Sequence, residues 1–255
     1  MKERGQVTIF IILGVALVAG AAVLFAVFSN KAPSLGGQPG PQNMNAYLST
    51  CLQSDVQQGV EALSLEGGSI NNSLSTTFQF SNTTPVLNIS YLCYTAAFNS
   101  TPCNPPYLLY PFFENNLHDY LSKDVSGCFD SLVSTLKSQG YQVASNYNGF
   151  EVYIMPNRIY LNISADVTTN KSSTQRYDSF QAQVPSEVYN MLSLTNDLIN
   201  QESMCNLTVS YIFNYPNYQI LWYGSSDQSN IFHIVNRQTQ EQFNFAVRSC
   251  AVQIG

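Results

Sequence analysis

No charged residue occurs between Gly5 and Asn30, and the run from Val7 to Phe28 is interrupted only by Thr8 and by small Gly and Ala positions. Gln6 to Ser29 makes about 24 residues, about 36 Å as a helix, enough to cross a hydrocarbon core of about 30 Å. A secretory signal carries an apolar stretch of only about 7–15 residues ending at a small-residue cleavage site. Here the apolar run passes Ala21-Ala22 and continues to Phe28. A buried helix of a water-soluble domain would carry some charge over such a length. Residues 6–29 are therefore expected to be a permanent transmembrane anchor whose first partner is membrane lipid. Lys2 and Arg4 precede it and only Lys31 follows closely. The positive-inside rule then makes residues 1–5 a basic cytoplasmic leader and sends everything after Lys31 outside. The expectation is a single-pass protein of the cell membrane with its bulk extracytoplasmic.

Ala32 to Gln42 reads APSLGGQPGPQ. Three prolines interleaved with glycines cannot continue a helix, so residues 30–44 read as a Pro/Gly-rich tether. Residues 45–255 remain for an extracytoplasmic domain. Charged residues make up 10% of the chain, against roughly 25% in typical soluble proteins. Asn, Ser, Thr, Gln and Tyr fill the gap. The net charge is −6 and there are only 10 Lys and Arg, which excludes nucleic acid as a partner because phosphate binding needs clustered cations.

Tyr47, Leu48, Cys51, Leu52, Val56, Val60 and Leu63 recur at three- and four-residue spacing, predicting an amphipathic helix over 45–65 closed by Gly67-Gly68. A second helix is predicted from about Glu114 to Ser138 on the stripe Leu117, Tyr120, Leu121, Cys128, Leu132, Val133 and Leu136, with Gly140 as its stop. Thr76 to Cys93 reads as strands or an extended loop. Period-two alternation follows at Val152, Ile154, Ile159, Leu161, Ile163, Ala165 and Val167, folded into a hairpin at Asn157. A third helix is predicted over Pro185 to Met204. Strands are predicted at 207–213, 218–223, 231–235 and 243–247. About three helices grouped with antiparallel strands, without regular βαβ alternation, predict an α+β domain.

All six cysteines lie beyond the anchor, and an even count outside the cell favours disulfides. The preferred set is Cys51–Cys128, Cys93–Cys103 and Cys205–Cys250. Cys51 and Cys128 sit mid-helix on their apolar stripes, Cys93 and Cys103 bracket a Pro-containing loop, and the last two flank the terminal strands. No Cys-x-x-Cys pair favours a metal, and no cofactor is expected. N-glycosylation sequons stand at Asn71, Asn82, Asn88, Asn99, Asn162, Asn170 and Asn206, a mild excess for a chain so rich in Asn, Ser and Thr. Asn82, Asn88 and Asn99 are expected to share an exposed flank.

Candidate chemistry is sparse. Glu114 and His118 are four apart on a helix and offer two metal ligands without a visible third. Asp119, about 100° around the helix from His118, is not expected to orient it. A solvated helical face accounts for all three. His233 reads as the more exposed residue of an apolar strand. Gly224-Ser225-Ser226-Asp227 lacks the second Gly of a nucleophile elbow and reads as a turn. Trp222 and the tyrosines could build an aromatic face for glycans or partner proteins, although Trp222 shares a strand face with Tyr218 and Ile220, as core residues do. No catalytic residue is expected.

Arg4-Gly5-Gln6-Val7-Thr8 followed at once by the apolar run resembles the class III signal peptide of archaeal pilin-like proteins. More loosely, the layout RGQVTIFIILG, a Cys-bearing helix ending in Leu-Glu-Gly-Gly, a second Cys-bearing helix and then strands is similar to that of uncharacterised surface proteins of small-genome archaea. The resemblance implies cleavage between Gly5 and Gln6, leaving the apolar helix on the mature protein. Phe10 stands where that family carries Glu, whose carboxylate pairs with a neighbouring subunit's new amino terminus. The expectation is therefore a processed, anchored, non-enzymatic surface protein acting as a binding or envelope module. The alternatives are a pilin-like filament subunit self-associating through its N-terminal helix, and an anchored extracytoplasmic hydrolase.

Overall fold

The computed structural model describes residues 43–95 and 109–249. The expected leader and anchor, with Gly5 and Gln6, and residues 30–42 of the expected tether lie outside the described residues, as do Asn99, Cys103 and Cys250. The tether's expected end is corrected, because Met44 is buried and opens a helix. Among the described residues no helix is long and apolar enough to cross a membrane.

Helix α1 spans Met44–Leu65 and buries Met44, Leu48, Leu52, Val56, Val60 and Leu63, a strict three-and-four stripe. Its end is fixed by geometry that only glycine takes easily. Gly67 lies at φ 79°, and the Gly68 N–H donates to the Leu63 carbonyl at 2.7 Å, the closure of a Schellman motif. The next carbonyls go to the sheet beneath. Asn244 Nδ2 donates to Leu65 O at 2.9 Å, and the Ser90 N–H donates to Glu66 O at 3.0 Å. A Cβ on Gly67 would lie 3.0 Å from that of Ser90, so the helix end docks against strand backbone. The carbonyls of Leu63, Leu65 and Glu66 thus have partners.

Helix α2 spans Leu109–Ser138 and presents Phe113, Leu117, Leu121, Val125, Phe129, Leu132 and Leu136 to the core. The two helices approach tightly at Gly59, where an added Cβ would sit 2.8 Å from Tyr120 Cδ1 and 2.9 Å from Leu117 Cδ1; Tyr120, expected on the buried stripe, is 37% exposed. That approach explains a glycine in mid-helix, where it otherwise costs about 1 kcal/mol relative to alanine. α2 begins five residues before the expected start, at Leu109 instead of Glu114, because Leu109 and Phe113 extend the buried stripe backwards.

Two sheets take the strands. One has the order β1-β2-β8-β7-β6, where β1 is Ser75–Phe78, β2 Leu87–Tyr94, β6 Tyr218–Gly224, β7 Asn230–Asn236 and β8 Gln242–Arg248. The other is β3-β4-β5, with β3 Gln142–Met155, β4 Arg158–Asn170 and β5 Thr174–Pro185. The fold is α+β as expected, but the single antiparallel sheet is corrected to two, and the larger is mixed because β2 runs parallel to β8. The β3–β4 hairpin turns where expected, with Asn157 at φ 64°, a conformation asparagine tolerates better than most residues. β5 was not anticipated, and it occupies Thr174 to Pro185. The third helix, α3, accordingly starts later, at Val188–Ser203. The strand expected at 207–213 is instead a single helical turn, α4 (Val209–Ile212), capped by Thr208 Oγ1 accepting the Tyr211 N–H. Among the described residues four helices therefore replace the expected three.

The open edges of the three-stranded sheet are closed by side chains from the helices. Asn45 Oδ1 and Ser49 Oγ of α1 accept the Gln181 and Gln183 N–H groups of β5 at 3.1 Å each. Glu114 of α2 accepts the Ile154 N–H of β3 at 2.8 Å. Such capping blunts edges that would otherwise template pairing with another chain.

Candidate functional site

Cys51 and Cys128 are joined, with Cα atoms 6.0 Å apart, fastening α1 to α2 at the middle of their shared stripe. Cys93 and Cys205 are disulfide-bonded as well. The expected partners of those two lie outside the described residues. Of the sequons, Asn71, Asn82, Asn88, Asn170 and Asn206 are exposed, whereas Asn162 is half-buried in the central strand β4. Ser90, the hydroxyl residue of the Asn88 sequon, is fully buried and donates to Ser69 O.

The residues weighed for chemistry have structural tasks. Glu114 caps the β3 edge. His118 stacks on Phe150 with ring centroids 4.4 Å apart. Its Nδ1 does reach Asp119 Oδ1, at 3.2 Å, correcting the expectation that helix geometry keeps the pair apart. The side chains are 42% and 85% exposed, so the pair lies in water without a shielded site around it. His233 is half-buried and its Nδ1 lies 2.7 Å from Asn244 Oδ1. Because the Asn244 amide nitrogen donates to Leu65, its oxygen must accept, and His233 Nδ1 carries the proton. His233, Asn244 and Leu65 thus form one chain tying β7 and β8 to the end of α1. Trp222 departs from the core role expected of it. Ile220 is buried, but Trp222 is 39% exposed. Among the described residues no group of three or more His, Cys, Asp or Glu could hold a metal.

The β6–β7 turn is a turn, as read, with a polar cluster beneath it. Tyr91 Oη donates to Asp227 Oδ2 at 2.7 Å, and Ser229 Oγ donates to Asp227 Oδ1 at 2.6 Å. Arg248 Nε donates to the Asp227 carbonyl at 2.9 Å. Burial works to raise the Asp227 carboxyl, but hydrogen bonds from Ser229, Tyr91 and Ser225 outweigh it and hold it at about 2. Ser229 is fully buried, so its hydroxyl is a strut and not a nucleophile.

A cleft of about 350 Å³ opens elsewhere, within the size range of ligand sites. One wall is the edge of the buried stripe of α1, Val56, Val60 and Ser64, with the neighbouring Gln57 and Glu61, positions about one helical turn apart. The opposite wall is the β7–β8 turn, Thr239 to Gln242, and the floor is Val184, Pro185, Ser186 and Met191. Glu241 is held rigidly. It accepts from Ser186 Oγ at 3.0 Å and from the Glu187 N–H at 3.1 and 3.0 Å. It thereby places an anion at the start of α3, where the helix dipole favours it. Ser64 is 1% exposed, and its hydroxyl has no hydrogen-bond partner, although a helical serine can bond back to the carbonyl four residues earlier. A broader, shallower depression of about 560 Å³ lies over Tyr153, Met155, Arg158 and Tyr160 on the three-stranded sheet.

No family model, curated protein or solved structure matches the chain. The cleft residues were not found from sequence. Glu61 looks like an ordinary exposed helical charge, and Glu241 reaches α3 across 54 residues. Ser64 gave the one available signal, a hydroxyl four residues after Val60 on a helix that is otherwise apolar at such positions.

Proposed function

We propose that the chain is a membrane-anchored surface protein whose extracytoplasmic α+β domain serves as a binding module. The observation that carries this reading is that the four described cysteines are all in disulfides, which fits an oxidising exterior. They brace a scaffold in which a preformed cleft lies between a helix and a turn. The uncharged run 6–29 supplies the anchor, and the resemblance at Arg4-Gly5-Gln6 supplies the processing step. Phe10, in place of a carboxylate, would leave the new amino terminus unpaired in a packed filament core. An unpaired buried charge costs several kcal/mol, so the anchor holds the protein in lipid and does not polymerise it.

Protease shaving of intact cells, with mass spectrometry of the membrane-bound form, tests this reading. The expected outcome is a mature N-terminus at Gln6, release of peptides from 45–255, and no filaments under electron microscopy. Protection of those peptides in intact cells, or filaments labelled by antibody against residues 45–255, would overturn it.

A further inference from the structure

We infer that the cleft between α1 and the β7–β8 turn binds an alkylammonium group, a primary amine carried on an aliphatic stem. Three features select that chemistry. Glu61 and Glu241 stand on opposite walls, and no Lys, Arg or His lines the cleft. A cation entering between them finds two carboxylates and no competing charge, whereas a carboxylate or phosphate ligand would be repelled. Next, the Ser64 hydroxyl is buried and unpartnered. Buried polar groups in native structures almost always have partners, and an ammonium offers three donors to a hydroxyl that can accept two. Last, the apolar surface of Pro185 on the floor and Val60 on the α1 wall gives a methylene stem an apolar bed, as lysine stems find on protein surfaces. A sugar ring fits less well, because no aromatic side chain lines the cleft to stack against it.

The site is organised before any ligand arrives. Glu241 cannot swing away, being held by Ser186 and the Glu187 N–H, and those donors leave part of its four-site acceptor capacity unused. Preorganisation of this kind removes ordering losses that would otherwise weaken binding. The amine can come from a free alkylamine or from a lysine side chain on a partner polypeptide; both offer the same group to the same walls.

The inference deepens the binding-module reading and rests on it for where the ligand is met. The test uses the purified full chain in neutral detergent with n-hexylamine, n-hexanol and hexanoate as probes, followed by calorimetry or ligand-observed NMR. Hexylamine is expected to bind saturably, and hexanol and hexanoate at least about tenfold more weakly. Glu61→Gln, an exposed change, should weaken hexylamine about tenfold without altering the melting temperature. Ser64→Ala should weaken it several-fold while leaving the protein as stable or more so, because an unsatisfied hydroxyl is removed. A capped Gly-Lys-Gly peptide that binds as tightly as hexylamine, and loses binding on lysine acetylation, assigns the amine to a polypeptide; hexylamine binding without peptide binding assigns it to a free amine. Equal binding of hexanoate, no hexylamine binding, or an unaffected Glu61→Gln variant would overturn the site. Those results leave the surface reading untouched. Conversely, protease protection of residues 45–255 in intact cells would sink the surface reading and leave the site standing.

Discussion

Removing the bond between α1 and α2 gives the clearest measure of what the disulfide contributes. The perturbation is Cys51→Ala with Cys128→Ala, a double change that leaves no odd thiol to mispair with the remaining cysteines. The bonded residues are separated by 77 positions. Chain-entropy reasoning puts the stabilisation from closing such a loop at about 4.5 kcal/mol, acting on the unfolded ensemble. Two terms modify that figure. Cys128 is 6% exposed, so truncating it adds a small packing loss, on the order of 1 kcal/mol. Residual compactness of the unfolded chain and the remaining disulfides work the other way. A net loss of about 3–5 kcal/mol is expected, a large share of the roughly 5–15 kcal/mol that holds a typical domain together.

Guanidinium titration provides the assay. The chain has 1 Trp, and Trp222 lies in β6 of the mixed sheet, remote in sequence from both cysteines. Its fluorescence therefore reports whether the loss is felt cooperatively beyond the two helices. The midpoint should fall while the m-value rises, because the unfolded state without the cross-link exposes more surface. A loss below about 1 kcal/mol would refute the reasoning. It would mean that the stripes Leu48-Leu52-Val56 and Leu117-Leu121-Val125 already hold the helices together in the unfolded ensemble.

Gly59→Val should destabilise the domain by about 1–3 kcal/mol through overpacking against Tyr120 and Leu117, and Gly59→Ala by less because alanine recovers about 1 kcal/mol of helix propensity; denaturant midpoints check the order. Acid titration should show a stability maximum near pH 4. Burial raises the carboxyls of Glu202, Glu66 and Asp55 above their ordinary values, with nearby Asp124 adding to Asp55, so their contribution is full below about pH 4 and lost as pH rises through the raised values. Asp227, held at about 2 against 3.8, contributes above 3.8 and loses its contribution as pH falls toward 2; discounted for its 40% side-chain exposure, that is about 1 kcal/mol. Melting curves that fall steadily from pH 7 to pH 4 would contradict this. Glycopeptide mapping should find sugar at Asn71, Asn82, Asn170 and Asn206 and none at Asn88 or Asn162, whose segments are strands with their hydroxyl or amide side chains turned partly inward.

Elements whose burial is strictly periodic were legible in the sequence. Both long helices and the Asn157 hairpin follow from spacing. The Cys51–Cys128 pairing was one preference among fifteen connectivities, favoured because each cysteine sits mid-helix on an apolar stripe, and the bond is present. β5 was hidden because Thr174 to Ser179 is polar apart from the half-buried Tyr177, and its fully buried alternation begins only at Phe180, Ala182 and Val184. The segment 207–213 misled in the opposite way. Leu207, Val209, Tyr211 and Phe213 alternate like a strand, yet Phe213 is 77% exposed, and the Thr208 cap starts a helical turn instead. The parallel pairing of β2 with β8 joins Tyr91 to Ala246, and a period of two says which face is buried but not which strand is the neighbour. The cleft was illegible for the same reason: Glu61, Ser64 and Glu241 gain meaning only when distant segments are brought together.

Scarce charge and these long-range joints belong together. Among the described residues there are two ion pairs, the exposed His118–Asp119 contact and Arg248–Asp227 at 3.9 Å. The joints between elements are made instead by neutral or half-neutral hydrogen bonds: Asn45 and Ser49 to β5, Asn244 to α1 and His233, and Asn230 to Glu202. Such bonds contribute about 1 kcal/mol each when made and, at a buried group such as Asn244, leave it unsatisfied when missed, so the buried ones reward accurate placement more than proximity. Placement is what the apolar stripes and the disulfide provide. Asn244 is the sharpest case, fully buried with both ends of its amide engaged. A chain poor in Lys, Arg, Asp and Glu but rich in amides and hydroxyls can in this way specify one arrangement of two sheets and two long helices. It also keeps most of those joints intact at a pH low enough to protonate its carboxylates, since an amide or hydroxyl partner does not titrate.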